Sequence, residues 1–179
     1  MSNDAGSLPE FNERSINVDT LARFERPIGQ LVLNFGLLER ALDFWLVELF
    51  PIACEAGLVE KKAYQLGHKI EQARTCLRGL ATMNAIRNDT MATLDLLERA
   101  NTIRNAVVHG TITHSAAEED PLLFLGRWKQ LPSESVPTHS DHCVALSTVV
   151  GAVSVTADLI GQMHKLFEQI LDLIEENDA

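Results

Sequence analysis

Cysteine is scarce in this chain: Cys54, Cys76 and Cys143 are the three present, and no CxxC pair occurs. That excludes a disulfide framework and a cysteine-rich zinc site, and it points to a reducing compartment. Proline and glycine are also few, 6 and 10 in 179 residues, so the chain is neither collagen-like nor low-complexity. With 46% hydrophobic and 22% charged residues it is not a disordered chain. One compact domain of this length buries roughly two-thirds of its unfolded surface. The N-terminal MSNDAGSLPEFNER has neither the basic flank nor the apolar core of a secretory signal. The longest weakly polar run, Cys143 to Ala157, falls short of the ~20 apolar residues a membrane span requires. A cytoplasmic protein with no membrane partner is expected.

Basic residues are outnumbered 15 to 25, for a formal charge of −10, which counts against a broad phosphate-binding surface and leaves no DNA partner expected. The charge is unevenly placed. Residues 1–60 hold 4 basic and 10 acidic side chains, residues 61–110 hold 8 and 4, and residues 111–179 hold 3 and 11. The positive middle third is either a phosphate-facing surface or a helix pair whose cations answer the acids of neighbouring helices.

Apolar periodicity is helical nearly throughout. Ile28, Leu31, Phe35, Leu38, Leu42, Trp45 and Leu49 alternate in steps of three and four and predict a first helix over 27–49 with a lead-in from Asp19. Pro27 suits its first turn and Pro51 is expected to end it. Leu66, Ile70, Ala73, Leu77 and Leu80 predict a second helix over 65–83, with Lys69, Arg74 and Arg78 on its outer face. A third, capped by Asn88 or Asp89, buries Leu96, Ala100, Ile103 and Val107 and stops at Gly110, which tolerates the left-handed conformation that commonly closes a helix. Residues 111–138 break the pattern and read as a loop or small hairpin. A long last helix follows, with one apolar row from Ala145 to Leu173 and a second through Leu146, Val153, Ile160, Phe167 and Ile174. The fold expected is all-α: a four-to-five-helix bundle with a loop or small hairpin before the last helix, residues 19–179 forming one domain behind a flexible 1–18 segment.

The third helix ends Glu98-Arg-Ala-Asn101-Thr-Ile-Arg104-Asn105-Ala-Val-Val-His109-Gly110. An Arg five to seven residues before a His means little alone, because 10 Arg and 6 His produce about one such spacing by chance. Its context is more informative. Asn101, Asn105 and His109 step by four along one polar face, opposite the apolar row. Arg104 lies about 140° around the helix from His109, yet its long side chain can reach the same pocket.

This segment, ending the third helix of four, resembles the HEPN superfamily, whose signature is an Arg, a polar residue, and a His four to six residues after the Arg. Helix one strengthens the likeness, since Asn34-Phe-Gly-Leu-Leu-Glu39-Arg-Ala-Leu is similar to the glutamate-bearing first helix of several bacterial HEPN-like groups. The resemblance covers residues 27–176 in helix order. It implies a homodimer whose two motif helices meet in one cleft, and metal-independent cleavage of RNA to 2′,3′-cyclic phosphate and 5′-OH ends. His109 is then the general base or acid, Arg104 neutralises the phosphorane oxygens, and Asn105 orients phosphate or histidine. Glu39, paired with Arg104, and Asn101 are supports, while Lys69, Arg74, Arg78 and His114 are RNA contacts. Such members are often toxins, with an antitoxin partner, or phage-defence effectors; others are non-catalytic dimeric modules that bind a partner protein or nucleotide.

Simpler readings stand beside this one. His109 could only satisfy carbonyls at its helix end, and Arg104 could pair with Asp95, Glu98 or Glu39. Thr138-His-Ser140-Asp-His142-Cys143 holds metal-ligand types, but capping of the last helix by Thr138 or Ser140 accounts for it. No metal or cofactor is expected. GxSxG, GxxxxGK[ST] and GxGxxG are all missing, so hydrolase, kinase and dehydrogenase readings lack a site.

Overall fold

The computed structural model describes residues 16–117, 119–129 and 138–178. Helices α1 (Val18–Glu55), α2 (Leu66–Gly79), α3 (Arg87–His109) and α4 (Leu146–Asp178) enclose the core, and a 3₁₀ turn, Ala81–Ala85, joins α2 to α3. The molecule is mostly helical but not purely so. Strands β1 (Thr111–Ala116), β2 (Leu122–Lys129) and β3 (Thr138–Ala145) form an antiparallel sheet in that order between α3 and α4.

The first-helix stripe is buried as its spacing predicts: Leu31, Leu38, Leu42, Trp45 and Leu49 are fully enclosed. Its length was underestimated, because Pro51 does not end α1, which continues to Glu55, and Pro27 lies well inside it. Each proline leaves one carbonyl unpaired, on Arg23 and on Val47, and both of those residues are exposed to water. Buried Leu49 and Ala53 then hold the chain on either side of Pro51. Asn17 caps the start by accepting from Thr20 N at 3.0 Å, and its own N–H donates to Ser115 Oγ of β1. The expected flexible segment therefore lies outside the described residues up to residue 15 and is anchored from Asn17 onward.

Helix α1 runs parallel to α4, since Asn34 meets Val153 and Thr156 while Trp45 Nε1 donates to Met163 O at 3.0 Å. Asn34 is buried and donates to Thr156 Oγ1 at 3.0 Å, so this member of the first-helix motif ties α1 to α4. Both expected apolar rows of α4 are found, Val149, Ala152, Leu159, Met163 and Ile170 buried and the second row half-buried beside them.

Helix α2 stops at Gly79, earlier than its apolar stripe predicts. The Arg87 side chain donates to Leu77 O at 2.7 Å and Leu80 O at 3.3 Å, satisfying carbonyls that a longer helix would have used. Neither Asn88 nor Asp89 caps α3; Ile86 occupies the cap position because the 3₁₀ turn runs directly into the helix. The core face of α3 is Leu94, Leu97 and Ala100, with Ile103 and Val107 half-buried, and Leu96 is turned outward.

Residues 138–145 form β3, paired from Lys129↔Thr138 to Leu122↔Ala145, so Thr138 and Ser140 do not cap α4. Asp120 does so from the loop before β2, accepting from Ser147 N at 3.0 Å and from its hydroxyl. Those two hydrogen bonds hold the Asp120 carboxyl below its ordinary range. Gly110 is extended, at φ −78 and ψ 144, not left-handed. A Cβ there would stand 2.5 Å from Ala106 O and 2.9 Å from Leu125 Cβ, so glycine is required by close approach of α3 to β2.

Contrary to the expectation that no apolar segment is long enough, α4 has the length and hydropathy to cross a membrane, with 28% of that window buried. Its buried row packing on α1 is equally what a bundle core requires. All three cysteines are free, and burial pushes the Cys76 thiol up to about 11.

Candidate functional site

The last two turns of α3 face the middle of α1 and the first turn of α2 across a cleft of about 570 Å³. Asn101, Arg104, Asn105 and His109 line it from α3, Phe35, Gly36 and Glu39 from α1, and Tyr64 to Gly67 from the α2 entry. Asn101, Asn105 and His109, which the spacing puts on one face of α3, thus line one concavity with Arg104, which lies further around the helix, and His109 is exposed within it.

Arg104 organises the motif. Its Nη1 donates to Asn105 Oδ1 at 2.9 Å and lies 3.2 Å from His109 Nε2. Arginine has only donors, so the ring nitrogen facing it must accept, which places any single ring proton on Nδ1. Arg104 Nε and Asn101 Oδ1 are buried and without a hydrogen-bond partner among the described residues. Buried polar atoms are normally paired, and these two exceptions both belong to residues that line the cleft. At the opposite wall, Gln65 at the cap position of α2 makes no side-chain capping bond. The first-turn N–H groups of a helix left in that state favour a negative neighbour.

The supporting residues divide. Glu39 lines the cleft, but its carboxylate accepts from Lys69 Nζ at 3.0 Å and is not the partner of Arg104. Lys69 also holds Asp43 at 2.7 Å. Burial works against its charge, yet the two carboxylates outweigh it and hold the ammonium above its ordinary range.

Nor does α2 present the expected basic face. Arg74 is buried and binds Glu71, Asp95 at 2.6 Å and Glu98 at 2.8 Å. Burial opposes its charge and the three carboxylates more than compensate, so it remains a fixed cation. Lys69 and Arg74 are therefore committed to carboxylates within the fold, which does not favour their reading as phosphate contacts. They answer the acids of α1 and α3, which also removes Asp95 and Glu98 as partners for Arg104. Arg78 is exposed, but does not line the cleft. His114 lies in β1, its backbone in register with Phe124, and its side chain is outside the described residues. No group of three or more metal-ligating side chains occurs among the described residues.

No family model, curated protein or solved structure matches the chain. What the site can do therefore rests on its own geometry. A guanidinium held by neutral partners keeps its charge available to an anion, and an exposed imidazole within hydrogen-bond reach of it can exchange a proton with that anion's substituents. Tyr64, Gln65 and Gly67 were missed in the sequence. The one available signal was an aromatic residue in an otherwise polar stretch immediately before a helix.

Proposed function

We propose that the protein is a metal-independent endoribonuclease of HEPN type. The observation that carries the reading is Arg104, held by Asn105 at 2.9 Å and beside His109 at 3.2 Å, in a cleft whose carboxylate, Glu39, is turned to Lys69. A bound phosphodiester draws the guanidinium onto its non-bridging oxygens and releases His109 Nε2. That nitrogen takes the proton of the ribose 2′-OH as its oxygen attacks phosphorus. The P–O5′ bond breaks, the departing oxygen gains a proton, and a 2′,3′-cyclic phosphate and a 5′-OH remain. One chain places one histidine in the cleft, so a second copy, as the HEPN resemblance implies, would supply the other proton-transfer group. An RNA-cutting enzyme of this kind suits a cytoplasmic toxin held by an antitoxin, or a phage-defence effector.

A second reading is favoured by Leu33, Leu37 and Val47, which leave an apolar strip of α1 exposed. In it the protein is a non-catalytic dimeric module that holds a partner protein on α1 and a nucleotide in the cleft.

End-labelled RNA incubated with the protein in excess EDTA separates the two. Cleavage giving cyclic-phosphate ends is expected, falling about 10²–10⁴-fold in His109→Ala while the melting temperature is unchanged. A folded dimer that cuts no RNA in a varied panel overturns the ribonuclease reading in favour of the second.

A further inference from the structure

Tyr64 is the only tyrosine of the chain and, at 86% exposure, the most exposed of its large apolar side chains among the described residues. Its ring has no aromatic or cation partner among those residues, whereas Phe44 and Phe50 both do. The core gains nothing from it. Its backbone, by contrast, is firmly held. Buried Gln72 donates to Lys61 O at 2.6 Å and accepts from Ala63 N at 2.9 Å, and Gln65 opens α2 on the other side. The fold thus fixes the stem of an aromatic side chain and leaves its faces in water, at the wall of the cleft opposite Arg104 and His109.

We propose that Tyr64 is a stacking platform for a nucleobase of the RNA strand whose phosphate sits on Arg104 and His109. This rests on the reading of the cleft as an RNA site. Three features favour a nucleobase. Stacking on an aromatic face is sequence-tolerant, and it gains most when the ring is held ready beforehand. The cation and imidazole across the cleft suit the phosphate attached to such a base. Exposed Lys61, three residues before Tyr64, suits the next phosphate along the strand. Tyr64 touches base and not the reacting atoms, so its role is binding and substrate choice.

The test uses the full chain with two labelled probes, a cleavable RNA oligonucleotide and its fully 2′-O-methylated counterpart, which cannot be cut. Tyr64→Ala is expected to weaken binding of the methylated probe about 10-fold or more, and to raise KM for the cleavable one with little change in kcat. Tyr64→Phe and Tyr64→Trp should bind as the parent does, and the new tryptophan's emission should be quenched by the probe. Equal affinity of Tyr64→Ala and parent for the probe, with cleavage intact, overturns the stacking role and leaves the ribonuclease standing. Tyr64-dependent binding without cleavage upholds the platform and overturns the ribonuclease. A parent that neither binds nor cuts RNA overturns both.

Discussion

Two arginines on adjacent helices, Arg74 of α2 and Arg104 of α3, are placed very differently. Arg74 is ringed by three carboxylates, whereas among the described residues Arg104 meets only an amide and an imidazole and keeps a buried Nε unpaired. A cation surrounded by acids is electrostatically finished and serves the fold; one with neutral partners is held in place with its charge unspent. The positive middle third of the sequence therefore divides into a structural half around Lys69, Arg74 and Arg87 and a half at the end of α3 whose arginine is not bonded to a carboxylate among the described residues.

Exchanging each arginine should expose the division. Arg104→Gln is expected to lower RNA cleavage about 100-fold or more while altering stability by no more than about 0.5 kcal/mol, read from turnover and thermal melting of one preparation. Arg74→Met should do the reverse, costing about 2–3 kcal/mol of stability because it leaves Glu71, Asp95 and Glu98 facing one another. Residual activity per folded molecule should stay near the parent's. If Arg104→Gln melted early and Arg74→Met lost cleavage, the contrast would be wrong.

The smallest effect concerns Lys69. Its pKa is raised above 10.5 in the fold, so its contribution is full below that value and lost as pH rises through the higher folded one. Lys69→Met should therefore be less stable than the parent by about 1 kcal/mol through neutral pH, the gap closing above pH 10.5. Paired melts from pH 7 to 12 would show it, and a gap that widens with alkali would contradict the pairing.

The helices were legible because burial imposes a period on apolar residues: the stripes of α1 and α4 could be read directly. Which polar groups face one another has no such period. Nothing local in Lys69 or Arg74 reveals that Asp43, Asp95 and Glu98 pack opposite them, so the sequence left open whether these cations face phosphate or answer the acids of neighbouring helices, and the ion pairs favour the second. The α3 motif was legible as a spacing, and its concavity was not, because the opposite wall comes from residues 35–39 and 64–67. β3 was hidden for a related reason: THSDHCVA has little apolar alternation, and its pairing with β2 makes it a strand. Pro51 misled because local propensity yields where burial on both sides of a proline holds the helix.

Gly110 carries no functional group, yet it stands between the catalytic candidate and the sheet. Any side chain there displaces either the Ala106 carbonyl or Leu125, and His109, one peptide away, must move with α3. In a saturation scan scored by activity, position 110 should accordingly tolerate as few substitutions as His109 itself, for a wholly different reason. One position would be intolerant because its chemistry cannot be replaced, the other because there is no room for anything at all.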